Sequence, residues 1–166
     1  VTNADRVAEW LASKDITHAF GIIGGGNVAF WNAVVARGKT QIVCCHHEQA
    51  AAQASTFYFR TCGKIAPCIV TTGAGSTNAI TGVMSAWMDS MPLLVISGNE
   101  AYQYHGDGGR GFGFQGYSSH HIARRFTKRA AFLTPSRLDE DLAAALEPRQ
   151  GPVWLDFPKD NQNALA

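Results

Sequence analysis

Short apolar runs alternate with helix-periodic segments along the chain, and each run stops at glycines or polar residues. Thr17 to Ile23 stops at Gly24-Gly25-Gly26, and Gln41 to Cys45 at His46-His47-Glu48. Ala66 to Thr72 stops at Gly73-Ala74-Gly75-Ser76, and Pro92 to Ser97 at a long glycine-rich stretch, Gly98 to Ser119. Gly151 to Phe157 reads as a closing strand. The runs are apolar without alternation, the pattern of strands covered on both faces. Strands alternating with helices build parallel sheets through crossover helices. The sequence therefore predicts an α/β fold: one open, doubly wound sheet of about six parallel strands, with helices on both faces. Ligands on such sheets bind beyond the carboxyl ends of the strands. The four glycine-rich or polar clusters stand at those ends.

Five segments read as helices. The first is capped by Asn3 or Asp5 and carries Val7, Trp10 and Leu11 on one face. The second has Val28, Trp31, Val34 and Val35 as its stripe and ends at Arg37-Gly38. The third, Gln49 to about Thr61, is rich in alanine and closed by Gly63; the fourth runs from Thr77 to Met88. A fifth starts at Pro135-Ser136 and continues to Leu146. The third and fourth are apolar on more than one face, through Ala50 to Ala54, Val83, Met84 and Trp87, so an interface with a partner is expected there.

Composition narrows the function. The 166 residues suit one domain, residues 1–166. Fourteen Lys and Arg face thirteen Asp and Glu, for a net charge of +1. That balance leaves no basic stripe for a nucleic acid. No apolar run approaches the ~20 residues that span a bilayer, and the charged, helix-periodic start does not read as a secretion signal. No membrane partner and a cytoplasmic location are expected. Cys44, Cys45, Cys62 and Cys68 lack metal-ligand spacing, so they read as small buried residues in a reducing compartment, with no metal site on this chain.

Two clusters can carry chemistry. Gly73-Ala-Gly75-Ser-Thr-Asn78, after a strand and before a helix, is a weak phosphate-loop signal, equally readable as a tight turn. Glu48 stands where an apolar strand passes into an alanine-rich helix. A carboxyl group partly buried there favours its neutral form and can exchange a proton nearer neutrality. An acid in the first helical turn is also favoured by the helix dipole alone. His46 and His47 diverge if extended, giving one core and one surface histidine rather than a metal pair.

Taken together, HHEQAAAQASTFYFRTCGK and TTGAGSTNAITGVMSAWMDSMPLLVISGN resemble the pyrimidine-binding domain of thiamine diphosphate enzymes. The nearest group is acetolactate synthase and its relatives, including sulfoacetaldehyde acetyltransferase. Phe114-Gln115, Phe126-Thr127-Lys128 and GPVWLDFPKD extend the resemblance over essentially the whole chain. It implies that Glu48 hydrogen-bonds N1′ of the cofactor's aminopyrimidine, activating thiamine diphosphate for attack on a 2-keto acid. It places Ile23 and Gly24 in the turn against the pyrimidine. Thr72, Gly73, Ala74 and Asn78 fall in a second cofactor-facing stretch, and Gln115 near the reacting carbon. The chain departs from the family at Ile23, Ala74 and Gly116, which stand where Pro, Pro and Glu are usual. Its last helix, around Leu142 to Gly151, is clipped. A catalytic part for His120 and His121, five residues after Phe114-Gln115, is a weaker expectation.

The family holds magnesium and the diphosphate on a separate domain, with Gly-Asp-Gly and a downstream Asn. Here Gly106-Asp107-Gly108 follows a polar segment and no such asparagine, so it reads as a loop. The expectation is the pyrimidine-binding subunit of a split 2-keto acid decarboxylase or carboligase. It would act only with a separate diphosphate-binding subunit holding Mg2+, in a heterotetramer or larger assembly. An excised domain, a non-catalytic regulatory or scaffolding subunit, and a nucleotide- or flavin-binding sheet protein are the alternatives.

Overall fold

The computed structural model describes residues 1–105 and 115–165. Its strands are β1 (His18–Gly21), β2 (Gln41–Cys44), β3 (Cys68–Val70), β4 (Leu93–Asn99), β5 (Arg129–Phe132) and β6 (Pro152–Pro158). The helices are α1 (Asn3–Ser13), α2 (Val28–Arg37), α3 (Glu48–Cys62), α4 (Ala74–Met88), α5 (Ser119–Ala123), α6 (Leu138–Leu146) and α7 (Lys159–Asn163). Every strand pair is parallel, in the order β2-β1-β3-β4-β6-β5, as the sequence predicts for an open sheet. Gly106-Asp107-Gly108 and Phe114 lie outside the described residues.

Alternation along the strands sorts the core into two layers. Ile69, Leu94, Ile96, Val153 and Leu155 pack with Val7 and Leu11 of α1, Phe30 and Val34 of α2, and Leu138 of α6. Cys68, Val70, Leu93, Val95 and Trp154 pack on the other face with Ala51 and Ala52 of α3, Val83 of α4 and Ala123 of α5. Helices therefore cover both faces. No helix among the described residues is long and apolar enough to cross a membrane.

Several local expectations change. Thr2, not Asn3 or Asp5, caps α1: its side chain accepts from the Asp5 amide while the Asp5 carboxylate accepts from the Thr2 amide. This reciprocal pair satisfies two otherwise orphaned donors. β1 and β3 are shorter than their apolar runs, and α4 begins at Ala74 rather than Thr77. Pro135–Arg137 forms a 3-10 turn before α6. Strand β5 has only half-buried residues and lies at the sheet edge, so its pattern is weak. The short helix α7 is also new; its buried Gln162 donates to the carbonyls of Gly26 (2.7 Å) and Phe157 and accepts from the Phe30 amide. Only Cys68 is a buried cysteine; Cys44 and Cys62 are exposed and Cys45 is half-buried, all as free thiols.

Helices α3 and α4 meet at Gly82, where a Cβ would lie 2.6 Å from the Ala52 Cβ. Ala51, Ala52 and Val83 are consequently inside the fold, and the apolar surface left on this pair is Phe57, Met84, Trp87 and Met88. Replacing Gly82 with Ala forces the helices apart and is expected to cost about 1–3 kcal/mol, read as a lower urea midpoint with an unchanged slope.

Asp141 of α6 is buried, with Oδ1 2.7 Å from Arg129 Nε of β5. Burial pushes its carboxyl above the usual range, although Arg129 opposes the shift. A raised folded-state pKa means the native chain holds this proton where the unfolded chain has released it. Stability from this group is thus present at acid pH and lost as pH rises from about 4 through the folded value. Thermal melts of wild type and Asp141→Asn across pH 3–7 are expected to show that loss in wild type and a flatter profile in the variant.

Candidate functional site

Chain order and sheet order part company at β1. The chain steps from β1 to β2 on one side and then returns to place β3 on the other. The carboxyl ends of β1 and β3 therefore open a crevice of the kind that binds ligands in doubly wound sheets. The turns leaving these strands are in tight contact. A Cβ on Gly24 would sit 2.6 Å from Thr71 Cγ2, and the Gly26 amide donates to Thr71 Oγ1 at 3.0 Å. Buried Asn27 pins the first turn from within, accepting from the Gly24 amide (2.8 Å) and donating to the Ile22 carbonyl (3.0 Å). Beside half-buried Gly24, Ile23 is exposed.

The second turn starts α4. Gly73 has φ 70 and ψ −128, a backbone conformation open to glycine alone at little cost. Its carbonyl receives the amides of Ser76 and Thr77, both at 3.1 Å, and the Ser76 hydroxyl at 2.8 Å. Thr72 is buried and Ala74 exposed at the tip.

Glu48 reaches this crevice from β2. His47 is extended and caps α3 through its side chain, with Nδ1 accepting from the Gln49 amide at 3.1 Å. That leaves Glu48 as the first residue of the helix, 8% exposed. Its Oε2 accepts from Asn78 Nδ2 of α4 at 3.0 Å. Oε1 accepts no hydrogen bond from the described residues, and a Cβ on Gly75 would stand 3.4 Å from it. Glycine thus keeps the space beside that oxygen narrow but unfilled. Both neighbouring histidines are exposed, correcting the expectation of one in the core.

Glu48, Asn78, Gly75, Thr72, Gly73, Ala74, Ile23 and Gly24 therefore gather on three adjoining turns. Gln115 joins them through its backbone: its carbonyl lies 3.3 Å from Thr72 Oγ1, which also donates to Asn99 Oδ1 at 3.0 Å. Its side chain is exposed. A large surface groove lined by Trp10, Ala33 and Arg37 lies elsewhere, between α1 and α2, and includes none of these residues.

One centre escaped the sequence reading. Asp156 of β6 is fully buried and accepts from the His120 amide (3.0 Å), His120 Nδ1 (2.8 Å), Trp154 Nε1 (2.9 Å) and the Ser119 hydroxyl. Asn99 Nδ2 approaches it at 3.4 Å. His120 is thereby fixed against Phe132 and His121, with ring centroids 4.6 and 4.3 Å away. A lone acid inside the apolar run Val153-Trp-Leu-Asp156-Phe was the available signal. No group of three or more metal-ligating side chains occurs among the described residues.

The family described as "Thiamine pyrophosphate enzyme, N-terminal TPP binding domain" matches residues 1–133. The chain belongs to that family. Among individual proteins, it is 33% identical to the acetolactate synthase large subunit of Haemophilus influenzae, over 98% of this chain and 29% of that protein. The acetolactate synthase isozyme 3 large subunit of Escherichia coli gives 33% identity over the same shares. The acetolactate synthase of Arthrospira platensis gives 32% over 99% and 29%. The chain spans less than a third of the length of these relatives.

Asp156→Asn turns one acceptor oxygen into a donor facing other donors, leaving buried N–H groups unpaired. The expected cost is about 1–3 kcal/mol for each group stranded. Chemical unfolding checks it, with a shift in tryptophan fluorescence as the Asp156 acceptor of Trp154 is disturbed and Ser119 Oγ is left as its other partner.

Proposed function

We propose that residues 1–166 form the pyrimidine-binding half of the active site of a thiamine diphosphate-dependent enzyme. Its substrate is a 2-keto acid, and its reaction is decarboxylation followed by carboligation of the acetolactate synthase type. The observation that carries this reading is Glu48: a buried carboxyl with one oxygen tied to Asn78 and the other facing a space kept by Gly75. That arrangement fits a flat ring carrying a nitrogen able to share a proton with Oε1.

Thiamine diphosphate, when bound, supplies a nucleophilic carbon and an electron sink for the leaving of carbon dioxide. The chain's own residues do the rest on this side of the cofactor. Glu48 holds or accepts the proton at the pyrimidine ring nitrogen N1′. Asn78 stops the carboxyl from turning away, and a low-dielectric setting strengthens the hydrogen bond that results. Ile23 and Gly24 on one side and Thr72 to Ala74 on the other form the walls. Exposed Gln115, at the margin of the second wall, contacts the substrate.

The diphosphate and its Mg2+ are held by a diphosphate-binding domain on a separate subunit, in a heterotetramer or larger assembly. The exposed Phe57, Met84, Trp87 and Met88 support burial against such a partner. The four free thiols suit the reducing cytoplasm.

Two measurements test this. Native mass spectrometry of the complex isolated from its source is expected to show a second chain carrying the diphosphate-binding domain. In that complex Glu48→Gln is expected to lower turnover of a panel of 2-keto acids, beginning with pyruvate, by roughly 10²–10⁴-fold while the assembly stays intact. Near-wild-type turnover in the variant overturns the proposal.

A further inference from the structure

Among the described residues, the Gln115 carbonyl is approached by Thr72 Oγ1 at 3.3 Å, and that contact is long for a hydroxyl donor. Two residues on, Tyr117 is bound far more firmly. Its hydroxyl lies 2.8 Å from the Gly73 carbonyl and 2.6 Å from Ser76 Oγ, and its own carbonyl accepts from Asn99 Nδ2 at 3.0 Å. Ser76 Oγ is itself 2.8 Å from the Gly73 carbonyl. Three oxygens thus share two hydroxyl protons, so Tyr117 and Ser76 close a triangle on one carbonyl. That carbonyl belongs to the residue whose left-handed backbone starts α4. Burial raises the phenol above its ordinary range, which keeps it a donor. Beyond Tyr117, Asp156 fixes Ser119 and His120. The segment 115–120 is held at its far end by a carboxylate; nearer Gln115, the Tyr117 hydroxyl is its short tie to the Gly73 turn, beside the Asn99 amide on the Tyr117 carbonyl.

We propose that Tyr117 is a positioning residue, whose hydroxyl sets Gln115 against the turn Thr72–Ala74 by binding the Gly73 carbonyl. Tyr117 acts through its neighbours and does not itself touch the substrate. The role rests on the reading of Gln115 as a substrate contact and of Thr72–Ala74 as a wall of the cofactor site. Phenylalanine at 117 keeps the ring and its packing while removing the shorter of two ties between the segments, and leaves the 3.3 Å approach of Thr72 Oγ1 to the Gln115 carbonyl in place.

The test is a double-mutant cycle in the assembled enzyme, this chain with its diphosphate-binding counterpart, on the 2-keto acid panel led by pyruvate. Tyr117→Phe is expected to lower kcat/KM about five- to tenfold, mostly through KM, with little change in the melting temperature. In a Gln115→Ala background the same change is expected to cost less than about twofold, because the residue it positions is gone. Amide exchange in segment 115–120 is expected to quicken in Tyr117→Phe while the β4–β6 pairing stays protected. Equal losses in both backgrounds, or unchanged exchange at 115–120, overturn the positioning role and leave the functional reading standing. A wild-type assembly that turns over none of the panel overturns the functional reading itself, and the role of Tyr117 with it.

Discussion

The close approach of Gly24 to Thr71 governs the site. Parallel strands β1 and β3 are neighbours in the sheet but far apart in the chain, and their exit turns must share one crevice. Any side chain at position 24 would occupy the volume of Thr71. Bringing the turns this near aligns the Gly26 amide with Thr71 and sets the start of α4, with Gly75 in it, beside Glu48. Asn27 and Gln162 secure the same turn from inside the fold. The walls on either side of the crevice are therefore fixed by backbone contacts and short buried side chains, with little rotamer freedom to lose when a ligand arrives.

The polar network extends that rigidity away from the crevice. Thr72, Asn99 and Asp156 form a path across the carboxyl ends of β3, β4 and β6. A fully buried carboxylate is costly unless several donors face it. Here the donors come from β6 itself, from α5 and from the end of β4, so meeting that requirement draws three elements together. The same acid that would be a liability in an apolar strand becomes the fixed point for the return of the chain after residue 114.

The sheet was legible because most of its strands are unbroken apolar runs, and β1, β2 and β3 are each followed by a helix-periodic segment. β4 and β6 are buried at every position, which is why Leu-Leu-Val-Ile and Val-Trp-Leu read so clearly. β5 was hidden because Arg129-Ala-Ala-Phe132 sits at an edge, half exposed, with neither alternation nor an unbroken apolar run. Glu48, Asn78 and the glycine turns were legible through motif resemblance, and their clustering rests on contacts between residues 30 positions apart. The contacts of Tyr117 and Asp156 were not, because their partners lie 44 and 36 positions away and meet only in the tertiary fold; Asn27 pins its own turn, a local use that no motif marked. The two adjacent histidines misled for a related reason: one became a helix cap, a local use that leaves it at the surface.

The sheet order has a consequence for how the chain reaches this structure. β6 pairs with both β4 and β5, so one long edge of β4 stays open until the last strand is available. During synthesis the ribosome releases β4 more than fifty residues before β6, judged from Leu93 and Pro152. Through that interval a seven-residue strand that begins Leu-Leu-Val-Ile offers unpaired amides and carbonyls to any neighbour. The waiting partner strand carries Asp156 at its centre, and a charge there discourages β6 from stacking edge to edge with its own copies. The group that anchors the finished fold also guards the unfinished one.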